Sequence, residues 1–185
     1  MFGHDEEHAL GIAVDLVNTA PETAGDERLA TLDDLRELVE QHEVTEVDEL
    51  TDADLRGVRT LRTKLLEVFE ARGNDHAAHL VNAIVATARA TPRLTAHDGH
   101  VWHVHYFARD ATIAEHLAAD CGMALARVVA EGELERLRRC DAGDCDHVLV
   151  DLSRNRSKRY CDSKRCGNRV HVAAYRERRR AAEVG

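Results

Sequence analysis

The sequence predicts a mainly α protein: a helical N-terminal domain with one small β-hairpin, then a small cysteine-bearing α+β domain with a short hairpin and a final helix. Three observations predict it. Apolar residues recur at helical spacing through most of residues 8–139. The period switches to alternation in one stretch, Val101–Tyr106. Four of the five cysteines form two identical pairs near the C-terminus, Cys140, Cys145, Cys161 and Cys166, spaced C-x4-C-x15-C-x4-C.

Residues 8–20 (HALGIAVDLVNTA) carry a helical period that stops before Pro21, and residues 21–30 read as a loop. Thr31 is a helix N-cap with Asp33 and Asp34 in the first turn, followed by Leu32, Leu35, Leu38 and Val39 on one face. Thr51 repeats the signal, with Asp54 three residues on. Gly73-Asn74-Asp75 ends that helix and starts the next, which runs up to Pro92. His97-Asp98-Gly99-His100 is a turn between β-prone runs. Alternation there places Trp102, Val104 and Tyr106 on one face and His103 and His105 on the other. From Ala111 to about Arg139 the helical period returns, so this helix is expected to run almost into the first cysteine pair. Beyond it, Val148–Val150 reads as a strand, Arg159–Cys161 as its returning partner, and the residues after Cys166 as a helix to about Ala182.

Charge divides the chain in the same place. Residues 1–133 hold 11 Lys and Arg against 26 Asp and Glu; residues 134–185 hold 14 against 8. The net charges are −15 and +6, within a total of −9. We therefore expect two domains, 1–134 and 135–185, with different partners. The second is too small to bury a sufficient core without a staple. Four thiolates supply one: they close a tetrahedral shell around a single structural Zn²⁺ and leave no position open for catalysis. Disulfides would need an oxidising compartment. The N-terminus does not read as a signal peptide and no apolar run is long enough for a membrane span. The expected location is the cytoplasm. Cys121 lies apart, in an apolar helical stretch, and reads as a buried structural thiol.

Around the cysteines stand Cys166-Gly167-Asn168-Arg169, the Asp151-Leu152-Ser153-Arg154-Asn155 turn and Tyr175-Arg176. With these the chain resembles the bacterial CGNR zinc-finger proteins, whose N-terminal part is the ABATE domain. Val14-Asp15-Leu16-Val17-Asn18-Thr19 resembles the start of that domain. Where the family often has Arg-Arg-Trp before the third cysteine, this chain has Lys158-Arg159-Tyr160. The resemblance implies a transcription regulator whose finger binds DNA and whose ABATE domain senses a signal, a small molecule or a protein.

The basic segment fits that implication. Eleven Lys and Arg lie between Arg154 and Arg180, opposed only by Asp162 and Glu177. We expect Arg154, Arg156, Lys158, Arg159, Lys164, Arg165, Asn168, Arg169 and Arg176 to contact double-stranded DNA. Phosphates would take most of the arginines, and Asn168 and Arg169, at the start of a helix, would reach base edges. Structural roles compete for these two: Asn168 as a helix cap or a donor to a cysteine sulfur, Arg169 as a partner of Asp151 or of the acidic domain. Asp15, Asn18 and Thr19 are the polar part of the N-terminal resemblance. They are expected either to line a ligand pocket or to cap and anchor the first helix.

Other sites rank below these. His97, His100, His103 and His105 cluster around the hairpin without acid or cysteine spacing that completes a metal site. His4 and His8 are not in HExxH order, and His147 is superfluous beside four cysteines. No phosphate loop, nucleophile elbow or acid–base pair is present, so no enzyme is expected. The alternative to a DNA-binding regulator is a zinc-stabilised module docking an acidic protein. RNA binding is disfavoured by the shortage of aromatics, only Tyr160 and Tyr175 in the segment. A homodimer would suit palindromic half-sites, though no heptad seam is visible.

Overall fold

The computed structural model describes residues 2–45, 47, 49–95 and 102–184. The fold is mainly α; among the described residues there are seven helices, two small two-stranded sheets and a C-terminal cysteine cluster. Helices α1 (His4–Val17), α4 (Asp52–Phe69), α5 (Asn74–Thr87) and α6 (Ile113–Ala130) pack together around one core. Leu10, Leu16, Leu65, Ile84, Leu117 and Leu125 are fully buried in it. α5 and α6 approach closely at Gly122, where a Cβ would stand 2.9 Å from Cγ2 of Val85. Helix α2 (Pro21–Ala24) follows α1 in the chain, and helix α3 (Leu32–Gln41) packs on α4.

The helix starts follow from their caps. Thr31 and Asp34 form a reciprocal capping box at α3, Thr51 and Asp54 at α4, and Thr112 and Glu115 at α6. α1 begins earlier than its apolar pattern does, because Asp5, Glu6 and Glu7 favour a helix N-terminus and Glu6 accepts from the Gly3 N–H at 2.7 Å. The stretch read as a loop, 21–30, contains α2, which starts on Pro21 and ends at Gly25 with φ 86°.

Strands β1 (Arg93–Thr95) and β2 (His103–His105) form an antiparallel hairpin with Leu94 opposite Val104. Trp102 and Leu94 are exposed. The predicted turn, with His97 and His100, lies outside the described residues. His105 packs against Phe107, which stacks on the buried His116.

Two expectations are corrected here. The helix predicted to reach Arg139 ends at Ala130. Gly132 takes φ 68°, its N–H bonds the Val129 carbonyl, and the Glu133 N–H reaches back to Val128 at 2.9 Å. Leu134 and Leu137 continue the helical spacing by coincidence; they fall in a 3-10 turn (Leu134–Arg136) and in strand β3 (Leu137–Arg139). Strand β4 (Val148–Val150) therefore pairs with β3, not with Arg159–Cys161. A π-helical turn, Ser163–Gly167, precedes the last helix, α7 (Asn168–Val184). No helix among the described residues is long and apolar enough to cross a membrane.

Candidate metal centre and basic face

Each cysteine is placed by backbone that the local sequence dictates. Cys140 extends β3, donating its N–H to the His147 carbonyl at 2.8 Å, and Cys145 closes the Asp141–Asp144 turn by bonding Ala142. The second pair is tied to the first where Asp141 donates to the Arg159 carbonyl. The Cys161 N–H points at Cys140 Sγ, 3.5 Å away. Asp162 caps the π-helical turn, its carboxylate accepting from the N–H groups of Lys164 and Arg165 at 2.7 and 3.1 Å. These donors hold its carboxyl below the usual range. Gly167 lies flat against Tyr160, where a Cβ would be 3.3 Å from the ring.

All four Sγ atoms lie within 4.8 Å of one another. Cys145 and Cys161, and Cys161 and Cys166, are 3.7 Å apart. Zinc–sulfur bonds of about 2.3 Å in a tetrahedron place sulfurs about 3.8 Å apart, whereas a disulfide needs about 2.0 Å. The four cysteines are thus positioned to hold one metal ion, and four sulfurs suit one structural zinc. Burial pushes the Cys161 and Cys166 thiols up, so a cation's charge is what lets the whole cluster ionise. A small apolar cluster surrounds the sulfurs: Ala142, Leu149, Tyr160 and Val170. Cys121 stands far from it, fully buried in α6, with its thiol on the Ala9 carbonyl.

The 15-residue gap between the pairs is closed by Asp151. It is fully buried. One carboxylate oxygen accepts from the Ser153 N–H and hydroxyl at 2.9 and 2.5 Å; the other accepts from the Lys158 N–H at 2.9 Å. Burial opposes ionisation, but these donors and the nearby Arg138 outweigh it and hold the carboxyl below its ordinary range. Arg136 clamps the same turn through the carbonyls of Asp151 and Ser153. Asp151 and Ser153 were part of the motif legible in the sequence; the Arg136 clamp was not.

The basic residues divide by partner. Arg156 pairs with Glu133 and Glu135, and Arg159 with Asp141. Arg169 donates to Asp144 at 2.7 Å and lies 3.5 Å from Cys166 Sγ, so it supports the metal loop rather than pairing with Asp151. Lys158 leans on the Val150 carbonyl and Arg165 sits beside Asp162. Arg154, Lys164, Arg176 and Arg178 are exposed and make no ion pair among the described residues. Asn168 is helical and exposed; Asp162, not Asn168, is the capping side chain.

The three polar residues of the N-terminal segment engage different partners. Asp15 meets His42 at 3.0 Å and Gln41 at 3.4 Å. Thr19 accepts from Arg62, which is buried and forms a two-pronged pair with Glu27 at 2.6 and 2.7 Å. Asn18 donates to the Val148 carbonyl at 3.0 Å and accepts from the Val148 N–H at 2.8 Å. Two surface cavities, of about 330 and 180 Å³, border other residues, the first Glu67, Glu70 and His76 and the second Asp54, Asp110 and His116.

Residues 136–179 match the family model of the CGNR zinc finger. Residues 10–132 match the model of the ABATE family, described as "Putative stress-induced transcription regulator". No curated protein matches the chain.

Proposed function

Because the chain belongs to the ABATE family and ends in a CGNR zinc finger, we propose that it is a transcription regulator that binds double-stranded DNA through α7. The helical body, α1–α6, is its signal-responsive part, and the protein is not an enzyme. One observation carries this reading. α7 is a 17-residue basic helix anchored at its start by the metal cluster and exposed along almost its whole length. Val170 turns toward the cysteines, which aims Asn168, Val172, Tyr175 and Arg176 outward. Val172 and Tyr175 are 46% and 55% exposed, unusual for a helix that has no other use for them.

Such a face suits a major groove. Asn168 matches an adenine edge, Val172 a thymine methyl, and Arg176 a phosphate or guanine. Lys164 and Arg154, beside the same helix start and on the Asp151 turn, add phosphate contacts that carry no sequence information. Arg156, Arg159 and Arg169 contribute less than their charge suggests, since acids already engage them.

The test is selection from random duplex DNA by zinc-loaded full-length protein, repeated after chelation and with Asn168→Ala and Val172→Ala. An enriched motif is expected, absent after chelation and degenerate at one or two positions in each variant. No enrichment by the zinc-loaded protein would refute sequence-specific DNA binding and direct attention to an acidic protein partner.

A further inference from the structure

Strand β4 belongs to two cores at once. Its three residues are all buried. By the alternation of a strand, Val148 and Val150 enter the core of the helical body, while Leu149, between them, enters the cysteine cluster. β3 adds Leu137 to the body's core, and Cys140 follows directly from it. The metal cluster and the helical bundle thus share one wall. Asn18 grips that wall from the C-terminal end of α1. Its amide makes both hydrogen bonds to Val148 that a neighbouring strand would make, across 130 residues of sequence. Arg139 pairs with Glu70 of the body, and Arg136 lies over the Phe2 ring.

We propose that Asn18 is the positioning residue that latches the zinc finger to the helical body, so that metal loading at the four cysteines and the packing of α1 are coupled through β4. Loss of the metal frees Leu149 and loosens β4, and α1 loses the partner of its last turn. Reciprocally, a signal that shifts α1 alters the hold on the metal and the aim of α7. The coupling needs no nucleic acid. Its use in regulation rests on the DNA-binding reading, and a failure to bind DNA would leave the coupling intact.

Hydrogen exchange on the full chain, zinc-loaded and chelated, tests it directly. Chelation should speed exchange in residues 14–20 and 147–151 and leave α5 unchanged. In parallel, Asn18→Ala should weaken zinc affinity, read by competition with a chromophoric chelator, roughly tenfold for two lost hydrogen bonds, though Asn18 touches no sulfur. Unchanged exchange in α1 would overturn the proposal. So would a uniform rise across α1, α4 and α5, or a zinc affinity within twofold of the unmodified protein in a folded variant. If Asn18→Ala does not fold, the exchange comparison on the unmodified chain decides.

Discussion

Replacing Asp151 with alanine should strip zinc from a site that Asp151 does not touch. The carboxylate accepts three hydrogen bonds, two from Ser153 and one from Lys158, and is fully buried. Each such bond is worth about 1 kcal/mol net, more when the acceptor is charged. Three such bonds total about 3 kcal/mol. The Asp151 turn brings the second cysteine pair to the first, and its small core depends on the metal. The cost therefore falls on metal binding, and 3 kcal/mol corresponds to roughly a hundredfold weaker zinc affinity. Asp151→Asn keeps the shape but turns one acceptor into a donor, and should lose roughly tenfold. Competition titration against a chromophoric chelator measures both. A folded Asp151→Ala variant that binds zinc within threefold of the unmodified protein would refute the reasoning.

Two further predictions concern the helical body and the thiols. The Arg62 guanidinium holds the Glu27 carboxyl below its usual range. A depressed carboxyl stabilises the fold above the ordinary Glu value, about 4.3, and that contribution disappears as pH falls through the lower folded value. Glu27→Gln should therefore unfold more easily in urea at pH 7, by about 3 kcal/mol, and the gap should narrow as pH falls below about 4.3. Chelated samples at each pH keep metal release out of the comparison; a gap that does not narrow on acidification contradicts the ion-pair account. Chelation itself should remove the circular-dichroism signal of α7, since a 17-residue helix without its anchor is marginal in water. It should also expose four thiols, and only four, to alkylation, because burial keeps Cys121 protonated and out of reach. Mass spectrometry counts the adducts, and modification of Cys121 in the native chelated protein would contradict the placement of α6.

What was legible in the sequence is what depends on neighbours. The N-caps at Thr31 and Thr51 form as read, each completed by the aspartate three residues on. The cysteine spacing encodes a cluster whose turns lie within each pair. The hidden parts depend on distant or competing partners. The Schellman end at Gly132 was masked by Leu134 and Leu137, which happen to keep the helical spacing. That misplaced β3 and left β4 with the wrong partner. Asn18 was named with Asp15 and Thr19 as the polar part of the N-terminal resemblance, but its partner is Val148, and nothing local names it. Arg169 was read as a DNA contact or, in a structural role, as a partner of Asp151 or of the acidic domain; it pairs with Asp144, a choice that the tertiary path alone makes.

The proposed function requires the metal-loaded cysteine cluster to present α7 to a polyanion. Affinity of the zinc-loaded full-length chain for a labelled duplex, measured across salt concentrations, tests it most directly. We predict an affinity that falls linearly with salt on logarithmic axes, with a slope shallower by about 0.9 in Arg176→Ala, and binding that is lost on chelation. A slope near zero, or binding that survives chelation unchanged, would contradict the account.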